Sequence, residues 1–484
     1  MSLATLLLAA LTSAVAVHFP VSSSDPQLQA TIDRGLFLYY AYDGDDAARA
    51  FAQAAARDPR LAIAYWGIAL ADGPDLNTPP APERFDLAAK AIRTAVALAP
   101  SASPLERQLV SIMALRYRGS FADAQRNETA YREAMVAYAE SSQDENVQLL
   151  AAEALLEYGG LAWEHDAPAS PESRRALDFV AGVLESDPAN PMPNHLCIHL
   201  YDLAPDRSAA LACARRLDAT AFPPEAEHLA HMPAHYWIET GDYQAAIVSS
   251  ERAYGLLQQL NAGGRGDRAP KYAKHDVTVG YSAAMMRGSY ATAQLWAVRM
   301  ATVFGVRFDA LTALRFGRDA AAYAADGNQF GNPSVRGLAA IALGRLTEAR
   351  AIAARVRTGN TSLGYLPQLF LARLAEVDGD EDEAIRWDEL AVRNQHGDFA
   401  GEMIPFLPAQ EALGRLYLRR GRNAEATVAF NAALAAYPND PRALFGLAAA
   451  LTADGKNAQA AAARARFNAY WGGADTSLDG AAIK

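Results

Sequence analysis

Only two cysteines, Cys197 and Cys213, occur in 484 residues, too few for a disulfide scaffold or a four-thiolate zinc site. A single bridge and a pair of buried thiols both remain open. No long basic run is present, and 44 Lys and Arg against 55 Asp and Glu leave a net charge of -11. Counterion release to nucleic acid or an anionic membrane is therefore excluded as a driving force. Beyond the first residues, no stretch approaches the roughly 20 apolar residues that span a bilayer. Sustained period-2 alternation is absent, as are Asn-Gly or Asp-Gly hairpins flanked by β-branched runs, which argues against sheets. What the chain does have is 51% hydrophobic residues, enough to build a buried core and to exclude a disordered polymer.

At the N-terminus, an uncharged apolar stretch from Leu3 to Leu11 leads to Ala14-Val15-Ala16, an A-x-A cleavage pattern. The segment 1–16 reads as a signal peptide, which implies a periplasmic or secreted address. Residues 17–30 read as a lead-in whose Phe19 packs on the first helices.

The organising feature is a repeat. Gly35, Leu38, Ala47, Phe51, Ala54 and Pro59 recur near the other end, in the same spirit, as Gly414, Tyr417, Ala426, Phe430, Ala433 and Pro438. This pattern resembles the tetratricopeptide repeat, in which small residues sit where two antiparallel helices touch and a bulky residue stands between them. Weaker copies turn at Gly241, Gly288, Gly344, Gly379 and Gly455, and Gly421 falls at the turn within the second full copy. The expected fold class is all-α, a tetratricopeptide superhelix (an α-solenoid). Inserted loops are expected at Gly73 to Pro82, Asp166 to Glu172 and Gly263 to Gly266. The repeats divide into 31–190, a histidine-rich block 191–305, and 306–470, with 471–484 as a tail.

Six of the nine histidines fall between residues 195 and 275, a density that even spreading would not produce. Matching Ala210 to Ala246 places His195 and His199 in the slots of His231 and His235, with His228 and His275 sharing a third slot. At i, i+3 and i+7 these directions span about 60° of a helix. Histidines at i and i+4 can reach one ion together, and neutral imidazole suits copper, zinc, iron and nickel. The expected metal ligands are His195, His199, His228, His231, His235 and His275, with one or two copper ions favoured and zinc as the alternative. Asp202 and Glu239, three and four residues beyond the histidine pairs, are candidate catalytic carboxylates. Pro233 suits the first turn of a helix, so a helix is expected to begin near His231, leaving His228 in the turn before it. Tyr201, Tyr236, Trp237, Tyr272 and Tyr281 are candidate pocket walls.

The segment His228-Leu229-Ala230-His231-Met232-Pro233-Ala234-His235, with His18-Phe19-Pro20-Val21-Ser22 and Ala64-Tyr65-Trp66-Gly67-Ile68-Ala69, resembles a group of bacterial tetratricopeptide-repeat proteins that carry an H-x-x-H-M-P-x-H signature. The resemblance implies the helical-repeat fold and the histidine pattern, and it places the first-helix slots on a concave groove. It names no reaction. Three functions compete. The first is a copper-dependent oxidase or oxygenase acting on a small organic or peptide substrate held in the groove. The second is a zinc-dependent hydrolase, and the third a non-enzymatic scaffold for a partner protein. Ligation needs neutral imidazole, so metal is expected to leave as pH falls well below about 6.

Overall fold

Phe51 has no exposed surface, and its ring occupies the space a Cβ would need on two glycines, 2.7 Å from the position on Gly35 and 2.3 Å from that on Gly67. Those glycines lie on helices Pro26–Tyr40 and Ala62–Ala71, which flank Gly44–Arg57, the helix that carries Phe51. The ring replaces two missing side chains, letting three successive helices approach closely. Phe430 repeats the device with the same spacing, between Gly414 and Gly446 at 2.7 Å and 2.3 Å. Trp296 does the same against Gly280 at 2.4 Å.

The computed structural model describes residues 17–76, 79–156, 170–202, 204, 206–265, 273–325, 333–358, 364–398 and 407–478. The segment 1–16, the end of the tail, and the loop positions 77–78, 166–169 and 266 lie outside the described residues. Among those described, every regular element is helical, and helices adjacent in sequence pack on one another. The turn glycines Gly241, Gly288, Gly344, Gly379, Gly421 and Gly455 all have φ between 70° and 85°. This is the left-handed conformation that a side chain would resist. The fold is all-α, a tandem array of helix pairs. No helix among the described residues is long and apolar enough to cross a membrane.

The chain divides into two compact units. One comprises the described residues up to 236 together with 252–265, and the other 237–251 together with 273–478. In the first, the lead-in is anchored. Phe19 is fully buried and stacks on Trp66 with ring centroids 5.9 Å apart. Its backbone N–H donates to Asp33 at 2.9 Å, and Asn146 donates to the carbonyl of His18 at 2.9 Å. In the second unit, Tyr243 donates its hydroxyl to the Pro438 carbonyl at 2.8 Å. Gly241 lies so close to that carbonyl that a Cβ would sit 1.9 Å from it.

Replacing Gly67 by Ala drives a methyl group into the Phe51 ring and should cost the first unit about 1–3 kcal/mol. Gly255, on helix Tyr243–Leu260 with nothing within 4 Å of its Cβ position, should tolerate Ala and gain about 0.5–1 kcal/mol. Denaturant melts of the two variants check both signs. An unchanged midpoint for Gly67→Ala would contradict the packing account.

Candidate metal centre

Helix Pro191–Tyr201 begins at Asn190, whose side chain accepts the N–H of Met192 at 3.1 Å, with Pro191 and Pro193 in its first turn. His195 and His199 stand one turn apart on its inward face, both buried. Cys197, between them in sequence, points elsewhere and is disulfide-bonded to Cys213 on helix Leu211–Ala219. The question left open by the cysteine count is thereby settled in favour of a bridge. Arg252 adds a second tie, donating to the carbonyls of Leu217 and Ala230 at 3.1 Å each.

The second histidine segment departs from expectation. His228 is not in a turn; it lies on a short helix, Glu227–His231, and a separate helix runs Pro233–Thr240. The break falls at Met232 because Pro233 has no N–H to continue the ladder, and His235 N–H donates instead to the Met232 carbonyl three residues back at 3.1 Å. His228, His231 and His235 are all buried regardless.

Five imidazoles of the first unit form a closed ring of neighbours. Centroid separations are 4.9 Å for His195–His199, 6.0 Å for His199–His235, 4.8 Å for His235–His231, 6.0 Å for His231–His228 and 5.1 Å for His228–His195. Each i, i+4 pair points Nε2 at Nε2, 3.1 Å apart for His195 and His199 and 3.0 Å for His231 and His235. Ligand nitrogens of His195, His199 and His228 lie within 4.8 Å of one another. His199 Nδ1 meets Asp202 Oδ2 at 3.1 Å. With a proton on Nδ1 donated to that carboxylate, the lone pair of His199 is left on Nε2, facing His195. Asp202 is thus engaged in orienting an imidazole, a different task from that of a free general base. Glu239 follows His235 by one turn on Pro233–Thr240 and belongs to the second unit, as does half-buried His275 on helix Ala273–Arg287.

Burial is the first cause of the altered basicity here. It holds His195 well below the ordinary imidazole range, with the neighbouring His199 and His235 rings adding to the effect. It also lowers His235 to about 4, partly opposed by the Asp202 carboxylate. The metal-free His195 and His235 rings are therefore neutral at pH 7, the state that offers lone pairs to a cation.

Tyr42 was not among the expected aromatic walls. Its ring meets His195 edge-on at 4.5 Å and stacks on His228 at 5.6 Å. Its φ of 59° is a left-handed conformation uncommon for an aromatic residue, and it aims the side chain from the end of helix Pro26–Tyr40 at the histidines. Nearby, Tyr39 donates to Glu153 at 2.6 Å. Burial still pushes that carboxyl up to about 7, with Asp75 adding to the rise against the Tyr39 bond. Of the expected walls, Tyr281 is committed in the second unit to a 2.8 Å hydrogen bond with Thr312, and Tyr272 lies outside the described residues.

Residues 407–451 match the family model described as tetratricopeptide repeat. No curated protein matches the chain. Among solved structures, the APC/C hetero-tetramer Cut9-Hcn1 is similar over 81% of this chain and 77% of its own, with 11% identity and a TM-score of 0.37. Yeast Tom70 is similar over 93% of each chain, with 12% identity and a TM-score of 0.28. Neither likeness bears on the histidines. The chain carries tetratricopeptide repeats, and the rest of the functional reading rests on its own residues.

Because the unfolded chain takes up protons near 6.5 and folded His235 near 4, stability should fall as pH drops through that window and be fully present above it. For His235 alone the loss is about 3 kcal/mol. Thermal melts of the metal-free chain from pH 7 to 4 test this, and His235→Asn should flatten the slope; equal slopes for the two proteins would remove the assignment.

Proposed function

We propose that this tetratricopeptide-repeat protein holds copper in its imidazole ring and uses it in oxidative chemistry on a small organic or peptide substrate in an exported setting. One observation carries the reading: three buried nitrogens, from His195, His199 and His228, lie close enough together to ligate one cation. The donors fit the group. All three are imidazoles, no thiolate is available because both cysteines are bonded to each other, and Asp202 backs His199 as carboxylates commonly back metal-bound histidines. Among divalent first-row ions, nitrogen donors bind copper most tightly. The His231–His235 pair, in contact with the first group through His199 and His228, offers two further nitrogens for a second ion. Bound copper would supply one-electron redox chemistry, while the protein's contribution is to hold the rings neutral, oriented and away from bulk water.

Export is supported by the 1–16 segment and by the Cys197–Cys213 bridge, which suits an oxidising compartment. Zinc, with hydrolytic chemistry, is the alternative for the same nitrogen set.

Elemental analysis of the purified exported protein should find copper at one to two equivalents per chain. His199→Ala and His228→Ala should each weaken copper retention at least tenfold while leaving the helical signal and melting behaviour near wild type. Stoichiometric zinc would transfer the site to the hydrolase reading, and oxygen uptake with candidate substrates separates the two chemistries. A metal-free protein that cannot be loaded would leave a scaffold for partner proteins.

A further inference from the structure

The second unit contains a cavity of about 450 Å³ that the histidine chemistry does not involve. It lies against successive first helices of the repeat pairs, Asp309–Arg315, Pro333–Ala342, Leu366–Asp378, Ala409–Arg419 and Pro441–Ala453. A volume of this size falls within the roughly 300–1,000 Å³ typical of small-molecule sites. Five guanidinium groups line it against four carboxyl groups.

Most of these charges are already matched. Arg315 grips Glu411 through two bonds of 2.7 Å and 2.8 Å, and Arg419 bonds Glu376 at 2.7 Å, with Arg373 on the same carboxylate. Arg442 donates to the carbonyls of Met285 and Arg315 at 3.3 Å and 3.2 Å, and the Glu411 and Asp440 carboxylates act on its charge through space. Arg415 is the exception. It stands between Glu411 and Arg419 on one face of its helix, at i+4 and i+8, and makes no hydrogen bond among the described residues. Its Nε is buried without a partner. Asp388 lines the same space, and burial pushes its carboxyl up to about 8 in spite of Arg415, while Glu411 acts on Arg415 only through space. The Arg415 guanidinium thus lines the cavity with its Nε buried and unbonded, and an anion placed beside it there would meet an open donor set.

The remaining lining is mixed, with Asp319, Thr476 and Ser477 beside a set of apolar side chains. Leu314, Leu338, Leu369 and Leu407 line the same space. A bare inorganic anion would leave these surfaces against water, whereas a molecule with an anionic head and an aliphatic body satisfies both halves of the cavity.

We propose that this cavity binds a carboxylate carrying an apolar body, its head on Arg415 and its chain along the leucines. Such a carboxylate comes either from a free organic acid or from the C-terminus of a peptide ending in an apolar residue. The site is separate from the imidazole ring and does not depend on any metal there.

Calorimetric titration of the full chain, in the absence of added metal, tests it with octanoate, neutral octanamide, inorganic phosphate, and the acetylated tripeptide Ala-Ala-Leu with a free or an amidated C-terminus. Octanoate should bind saturably at one site, at least tenfold tighter than octanamide. Arg415→Met should weaken octanoate at least tenfold. Because that substitution removes a half-buried group, Ala342→Glu provides an independent check: Ala342 lines the cavity yet is exposed, so a carboxylate there should repel octanoate tenfold or more with an unchanged melting temperature. Tighter binding of the free-acid tripeptide than of octanoate would assign the carboxylate to a peptide, and the reverse order to a free acid; both support the proposal. Absence of saturable binding by any probe, equal affinity for octanoate and octanamide, binding of phosphate as tight as octanoate, or indifference to both substitutions would overturn it.

Discussion

A large ring pressed onto two glycines is the contact on which the architecture rests. Phe51 between Gly35 and Gly67, and Phe430 between Gly414 and Gly446, set how closely three successive helices approach. Tight seating of this kind leaves little freedom for one helix to rotate against the next, because protein interiors are packed as densely as organic crystals. The rotation of each first helix decides which of its side chains turn inward. The histidines are a consequence: a pair one turn apart on one helix meets a pair one turn apart on the next only if both rotations are held.

Having met, the imidazoles share a dry environment that holds His195 and His235 below the ordinary imidazole range. Five rings in mutual contact, three-quarters of a turn to one turn apart along their helices, would repel strongly if protonated, and burial withdraws the water that would stabilise them. Asp202 bonds directly to one ring of this cluster, through the Nδ1 of His199. The second unit shows the opposite use of burial. There, permanently charged guanidinium groups cannot shed their protons, so the chain supplies Glu411 and Glu376 to meet Arg315 and Arg419, and Asp388 keeps its proton instead.

Much of this was legible in the amino-acid order, for reasons that differ by residue. The turn glycines were readable because a left-handed backbone leaves few alternatives, and the His195–His199 and His231–His235 pairs because a helix converts a spacing of four into adjacency. The sequence left the cysteines open, since loop length alone does not distinguish a bridge from two thiols. Tyr42 carried no spacing signal at all. It reaches the histidines from a helix some 150 residues earlier in the chain, and only its backbone angle marks it. Proline at 233 was read as opening a helix, which it does, but the residues before it form a helical turn of their own around His228. Arg415 carried no sequence signal, because nothing local shows that residues of five helices line one cavity with it.

The bridge between Cys197 and Cys213 has a consequence for how the histidine-bearing helix meets an ion. It closes a loop of 16 residues that contains His199 and Asp202 and begins two positions after His195. Such a loop restricts the chain even before it folds, by about 3 kcal/mol in the chain-entropy account. The covalent frame therefore bears much of the ordering of His199 and its Asp202 partner. An ion held at the proposed site would meet donors already ordered by the covalent frame, so its removal by a chelator would leave that frame in place, unlike in domains that fold only around their metal.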